Sequence, residues 1–597
     1  PSRDQHFGET RAVTYNHFWV TNLSYITRNA PGGTEIFVLD RDSGEPVEGV
    51  RLETFSREYD YGSRTYSMIP AGETTTGPDG LALLESNANR SRSVYVRFSK
   101  GADTFMTDNF FFISSPAREQ QSKDRTHFFT DRAIYRPGQT VKFKGIMIES
   151  LKNKQEVIAN RSTTVTLFDR NGKEIEKLSL VTSEYGSFSG SFTLPESLLT
   201  GMLRISNKNG STYITVEEYK RPTFRVEIEP LQGSYKLGEE VSVTGSAETY
   251  SGSPVDNAQV KYRVVRKPGF PFRSAWWFWP IPGGEEVEIT NGMATTGNDG
   301  KFSFSFRAIP DHKVDKKYKP VFYYTIYADV TDINGETHTT EETVTVGYQS
   351  LMIETEVARY IAVEEPPVVT VKAENLNGEE VEATINAGLF RLESPGRTLR
   401  SREWARPDVF IIDHDDFIEK FPMDVYANED EISEWERAEK VYGTELAVPS
   451  DSVISSDAFS GLEEGAYLLL LESTDRYGEK VEVEKYFTIY SRESLQMPVK
   501  STNLFIPGKE RALPGETVTL YAGTSEKDVK MLLEQKKGHE ILKREWITVS
   551  DEIRKFEIEV DESLRGGFAI EISWVSSNRS YQHKHPVAVP FTNKELD

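Results

Sequence analysis

Nine histidines are the first place to look for metal chemistry: His6, His17, His127, His312, His338, His414, His539, His583 and His585. None stands in a His-Glu-x-x-His pattern. His583 and His585, in "YQHKHP", share one side of a strand but supply only two ligands, too few for a zinc site. They read as surface histidines on a terminal strand. The segment "DVTDINGE" gathers Asp329, Asp332, Asn334 and Glu336, oxygen donors of the kind calcium takes. It lacks the ligand periodicity and the distant bidentate glutamate of an EF-hand. Asn334-Gly335 is instead a strong hairpin signal, and the parallel segment "STDRYGE" keeps the turn with Tyr477 in place of Asn334. A structural turn is the expectation.

The stretch "PGFPFRSAWWFWPIPGG", residues 268–284, concentrates Phe270, Phe272, Trp276, Trp277, Phe278 and Trp279. Such aromatics either offer a platform for sugars or proteins or fold back between neighbouring domains; four consecutive aromatics in water invite aggregation, which favours packing. No nucleophile-elbow spacing, phosphate-cradling glycine loop or isolated carboxylate pair is present. The sequence therefore assigns no catalytic, cofactor-binding or metal residue and no cofactor, and the chain is expected not to be an enzyme.

Composition narrows the class further. The 597 residues carry 70 basic and 93 acidic side chains, a formal net charge of −23. That balance argues against a nucleic-acid partner and favours solubility. Cysteine is absent, which removes disulfides, thiolate metal sites, cysteine nucleophiles and thioesters from this stretch. No window approaches the ~18 apolar residues of a membrane span. "PSRDQHFGET" at the start has neither an initiator methionine nor a signal-peptide pattern, so the chain reads as mature protein or as a piece of something longer.

The elements that must position these residues repeat. "TDRAIYRPGQTVKFKG", Thr130 to Gly145, is a Pro-Gly turn followed by alternation, with Val141 and Phe143 on one side and Lys142 and Lys144 on the other. "YKLGEEVSVTG" and "ALPGETVTLYAG" repeat it, and "IAVEEPPVVTVKAEN" is a variant. "SGEPVEGVRLE" matches "SGSPVDNAQVKYRV". "TTTGPDGLALL" matches "TTGNDGKFSFSF" and "TSEYGSFSGSF". Short alternating strands between Gly, Asn and Asp turns at this spacing predict an all-β chain of tandem antiparallel β-sandwiches of Ig/fibronectin-like build. Expected domains are 1–115, 116–222, 223–348, 349–493 and 494–597, joined by linkers "SSPAREQQSKDR" and "EEYKRPTF". The turns at Gly138, Gly238 and Gly515 are expected at positive φ. Residues 404–443 predict a helical insertion: Asp413 as N-cap with Phe417 and Phe421 at i,i+4, then a capping box of Asn428 and Glu431 opening a helix to Gly443.

"TDRAIYRPGQTVKFKG" resembles the strand-opening signature of the α2-macroglobulin family in its bacterial branch. "EEYKRPTFRVEI" and "VTDINGET" resemble its next junction and closing hairpin, and "EWARPDVFIIDHDDFIEKFPMDVYANE" resembles a helical segment of bacterial members. The resemblance implies macroglobulin-like sandwiches over essentially the whole chain. It also implies the scaffold portion of an endopeptidase inhibitor of the cell envelope, periplasmic or anchored at the outer membrane, which traps proteases through the full-length protein and packs against other domains of the same chain. Many members carry a thioester within Cys-x-Glu-Gln. Here the similar string is "LLEQKKG", with Glu534 and Gln535 but Leu532 where the cysteine would stand, so no thioester forms in this stretch. Two other readings stay open: a non-inhibitory structural or adhesive array, and a glycan-binding accessory built on the Trp276–Trp279 loop.

Overall fold

The computed structural model of the chain describes residues 19–30, 32–60, 62, 64–85, 92–113, 123–151, 154–217, 223–231, 233–270, 285–538 and 540–591. The aromatic loop from Phe272 to Gly284, His6, His17, His539 and the centres of both expected linkers lie outside these residues. Among them the chain is strands, with one α-helix, His414–Lys420. The strands form tandem β-sandwiches, each a three- or four-stranded sheet facing a four- or five-stranded one. The chain separates into two compact units, one comprising residues 114–223 with 86–91, the other the remainder.

The smaller unit is one sandwich. Its longest strand, Thr140–Leu151, pairs antiparallel with Ser187–Thr193 and with Lys123–Thr130. Val141 and Phe143 are buried while Lys142 and Lys144 face water, as the period of two requires. They meet Val165, Leu167, Leu203 and Ile205 of the facing sheet. The larger unit repeats the plan, with cores around Ile36, Val38 and Phe98, Val243, Val260 and Ile326, Val371, Leu389 and Leu469, and Leu520, Met531 and Trp574.

The opening turn has a definite task in this plan. Ile134–Tyr135 runs parallel to Gly210–Val216 in one sheet, and five residues later the chain is in the other sheet. Tyr360–Ala362 lies parallel to Lys480–Tyr490, and single parallel bridges Lys236–Gly347 and Arg511–Ala588 occupy the same place. The turn hands the chain from sheet to sheet, which is why short parallel pairings interrupt the expected antiparallel ladders. Gly138, Gly238 and Gly515 have φ of +81°, +89° and +93°, as expected. The backbone N–H of Gln139, Glu239 and Glu516 donates to the carbonyl three residues back at 3.2, 3.1 and 3.1 Å. Their side chains accept from the N–H of Arg136, Lys236 and Leu513 at 3.0, 2.9 and 3.0 Å.

One expectation is corrected. Asp413 does cap the helix, accepting from the Asp416 N–H at 3.0 Å, and Phe417 and Phe421 meet at 5.2 Å. Asn428–Gly443 is not a helix. It gives one 3-10 turn, Ile432–Glu434, and then the strand Glu436–Val448, laddered onto Ala383–Glu393. Glu431 donates its N–H to the Asn428 backbone carbonyl, so the capping box never forms. Ile432 and Trp435 both pack against the cluster of Leu392, Ala466, Leu468 and Leu470. A neighbouring strand with open backbone groups outweighs local helix propensity.

Candidate functional site

Among the described residues a cluster of buried charge lies where the first sandwich meets the last, within the larger unit. On the strand Val529–Lys537, Met531 and Leu533 point into their own core. Leu532, Glu534 and Lys536 therefore project from the opposite face. Leu532 is buried against Ile26, Phe37, Leu39 and Val575, and Phe37 meets Trp546 edge-on at 6.0 Å. This sheet is covered on both faces.

Inside that apolar seam sits an ion cluster. The side chains of Glu534 and Arg28 are 0% and 3% exposed. Arg28 Nε donates to Glu534 Oε2 at 2.7 Å, and Arg544 Nε donates to Oε1 at 2.9 Å. Lys536 Nζ bridges Glu534 at 3.1 Å and Glu571 at 2.7 Å. Arg544 continues to Glu35, and Arg28 also donates to Ser573 Oγ. Burial alone would raise the Glu534 carboxyl; hydrogen bonds from Arg28 and Arg544 and the charge of Lys536 hold it below its ordinary value. Each carboxylate is paired, so the cluster has no free base to offer. It is a clasp. Beside it, Ser577 and Asn578 donate their N–H groups to the carbonyls of Asp42 and Arg41 at 3.1 and 3.0 Å. Gly44, at φ +72°, lets the backbones approach: a Cβ there would stand 2.2 Å from the Val575 carbonyl oxygen.

Among the described residues, several of those weighed for metal chemistry have protein partners. Asp332 Oδ1 accepts from the N–H of Asn334 at 2.9 Å and of Glu336 at 2.8 Å, closing the turn. Asp475 does the same for Tyr477 and Glu479, both at 2.9 Å. The surface reading of the two strand histidines is corrected. His585 is buried, with Nε2 3.2 Å from the Lys509 carbonyl. His583 is half-buried, stacked on Phe505 at 4.5 Å, and burial lowers its pKa. Both lie against their own sandwich, His583 on Phe505 and Trp574, His585 beside the Lys509 carbonyl, and a terminal strand is no guide to which face is covered.

Three threonines were not singled out in the sequence. Thr76 Oγ1 accepts from Val50 N–H at 2.9 Å and donates to the Val47 carbonyl at 2.7 Å. Thr296 repeats this between Ala258 and Val255 at 2.8 and 2.7 Å, and Thr182 accepts from Arg161 N–H at 2.9 Å. Each stands just before a repeated turn and ties it to the preceding hairpin. Their position in "TTTGPDG" and "TTGNDG" was the available signal.

The MG2 domain family matches residues 125–226, the sandwich built around the Pro137-Gly138 turn. An α2-macroglobulin of Thermotoga maritima is 29% identical over 262 residues, covering 43% of this chain and 16% of that protein. The chain is similar to a macroglobulin-like region of bacterial α2-macroglobulins. An α2-macroglobulin homolog of Nostoc sp. is 23% identical over 301 residues, covering 45% of this chain and again 16% of the relative. The trypsin-activated α2-macroglobulin of Escherichia coli aligns over 98% of this chain and 39% of its own, at 13% identity and a TM-score of 0.48. The matched part is thus a small fraction of the curated relatives' length.

In this macroglobulin-like region "LLEQKKG" lies largely in the strand Val529–Lys537 rather than in a loop. Leu532 is in the seam, Glu534 in the clasp, and Gln535 lies opposite Lys543 and Ile570 in the sheet. The closing hairpin with Tyr477 also joins sandwiches: Tyr477 Oη donates to the Ser234 carbonyl at 3.0 Å, beside the opening turn of the preceding repeat.

Proposed function

We propose that this region is the rigid scaffold of a protease-trapping α2-macroglobulin of the bacterial cell envelope. The observation that carries the reading is the clasp: the buried charges Arg28, Glu534, Arg544 and Glu35 are committed to joining the first sandwich to the last rather than to a substrate. On this reading the chain divides into five macroglobulin-like domains near residues 115, 222, 348 and 493, and it is not an enzyme. Its partners are endopeptidases, engaged through the full-length protein. The family match supports the trap, since a trap needs domains that keep their geometry while a protease is enclosed.

The test uses the full-length protein incubated with an endopeptidase. Activity is followed on a small chromogenic peptide and on a large protein substrate. A trap leaves the first intact and suppresses the second. Equal activity on both overturns the inhibitory reading and favours a structural array. The 597-residue region alone is expected to incorporate no methylamine and to form no covalent protease adduct; an adduct on Gln535 would contradict this.

A further inference from the structure

The insertion between the strands Ala383–Glu393 and Glu436–Val448 carries two kinds of chemistry. Arginines tie the outgoing chain to the returning one. Arg397 Nη1 donates to the carbonyls of Pro422 at 3.0 Å and Asp424 at 2.8 Å. Arg400 clamps the Asp424 carboxylate through Nε and Nη2 at 2.5 and 2.9 Å. Arg402 Nη2 reaches the carbonyls of Val425, Tyr426 and Ala427 at 2.9, 3.1 and 2.7 Å. Tyr426 stacks on Phe410 at 4.4 Å and gives its hydroxyl proton to the Ile412 carbonyl at 2.9 Å. Arg400 further donates to the Ser577 carbonyl at 3.0 Å, fixing the insertion onto the last sandwich. Guanidinium groups forking onto carbonyls in this way make a held platform of a segment with almost no regular secondary structure.

The same segment holds large apolar side chains in water: Ile411 is 92% exposed, Val409 72%, Trp404 59% and Phe421 42%. Arg397, Arg400 and Arg402 are turned inward, while Arg406 and Lys420 stay at the surface among a larger number of acids. Glu403, Asp408, Asp415 and Glu419 are all exposed. Apolar side chains on a rigid support, with a surrounding charge that is mainly acidic, are the makeup of an interaction surface: anchors and a polar rim that selects the partner.

We propose that this insertion docks a polypeptide partner that presents apolar side chains flanked by lysines and arginines. The acidic rim sets that charge requirement, and the net charge of −23 on the whole chain steers a basic partner toward it and turns an acidic one away. An anionic lipid surface is disfavoured by the same rim.

The experiment titrates the 597-residue chain into a labelled short peptide of alternating lysine and leucine pairs. Its glutamate–leucine counterpart and phosphatidylglycerol vesicles are run beside it, at low and physiological salt. Binding of the lysine peptide alone is expected, weaker at the higher salt. Val409→Ser with Ile411→Ser, and independently Trp404→Ser, should each weaken it about tenfold or more, as loss of a central anchor does. These side chains are exposed, so both variants should melt as the parent does. Asp408→Lys with Asp415→Lys should reduce the salt dependence. The proposal is overturned if the lysine peptide does not bind, binds the serine variants as it binds the parent, or is matched by the glutamate peptide or the vesicles. It is equally overturned if ultracentrifugation shows the chain pairing with itself through the same residues.

Discussion

The opening turn at Pro137-Gly138 and the clasp at Glu534 both decide where a strand lies, but by opposite means. The turn works through four consecutive residues and leans on one residue from elsewhere, Leu194, whose carbonyl accepts the Gly138 N–H at 3.0 Å and whose N–H donates to the Gln139 carbonyl at 2.9 Å. The clasp works through Arg28, Glu35, Glu534, Lys536 and Arg544, drawn from the two ends of the chain. A turn is backbone conformation, so its cost is carried by φ. A buried ion cluster is desolvation set against pairing, so its cost appears when one partner is removed. The difference teaches that this region has two kinds of specification: local ones that repeat in each sandwich, and a long-range one that occurs where two sandwiches meet.

The sharpest way to break the comparison is at Glu534. Glu534→Ala removes the carboxylate that Arg28 and Arg544 share and leaves them only Glu571, 3.5 Å from Arg28, and Glu35, a loss of up to about 3–5 kcal/mol in the docking of the first sandwich on the last. The amides of Ser577 and Asn578, which donate across the seam, should then exchange with solvent far faster, while the Gly138 amide is unchanged. Replacing Arg28 and Glu534 together by leucine should restore much of the protection, because no unpaired charge remains. Acid should act in the same direction. The Glu534 carboxyl is depressed in the folded state, so its contribution is present above its unfolded value and is lost as the pH falls through the folded one. Protection at Ser577 should therefore decline only below pH 4.5, the ordinary value for the group. Protection that is flat down to complete unfolding would mean that the apolar seam alone holds the joint.

Next in size is the turn. Gly138→Val should cost about 1–3 kcal/mol, from a β-branched residue held at positive φ. Space is not the reason: a Cβ on Gly138 would lie 3.6 Å from the Glu196 side chain, ordinary contact, and on Gly238 or Gly515 it would meet nothing within 4 Å. Asparagine, which tolerates the left-handed region, should cost clearly less at all three positions. Calorimetry of the three valine variants checks this. Equal losses for valine and asparagine would show that the price lies in something other than φ.

What could be read from the sequence follows the same division. The sandwiches, their repeated turns and the glycine conformations were legible because period-two alternation and Pro-Gly geometry are local facts. The clasp was not, because nothing near Glu534 announces Arg28. The one available sign was the loss of alternation in "VKMLLEQ" and "FAIEISWVS", continuous apolar runs that indicate a sheet buried on both faces. The Asn428–Gly443 segment misled for the converse reason: its helical signals are real locally and are overruled by Ala383–Glu393 alongside.

The smallest effect expected is at Asp332, and it tests whether a cluster of oxygen donors is a local or a ligand-dependent device. Its carboxylate accepts from the N–H groups of Asn334 and Glu336 and from the Asn334 side chain at 2.9, 2.8 and 3.0 Å. Asp169 serves the turn Asp169–Lys173 in the same way, with N–H groups two and four residues on at 2.9 and 2.8 Å, so the arrangement belongs to the hairpin. Asp332→Ala should cost about 0.5–1.5 kcal/mol, the net worth of such hydrogen bonds, seen as faster exchange of the Glu336 amide. Calcium at millimolar concentration should change neither the parent nor the variant, because the oxygen that would bind it already holds the turn closed. A calcium-dependent rise in the parent's melting temperature that Asp332→Ala abolishes would overturn the turn reading and move Asp332 from the local devices to those that need an outside partner.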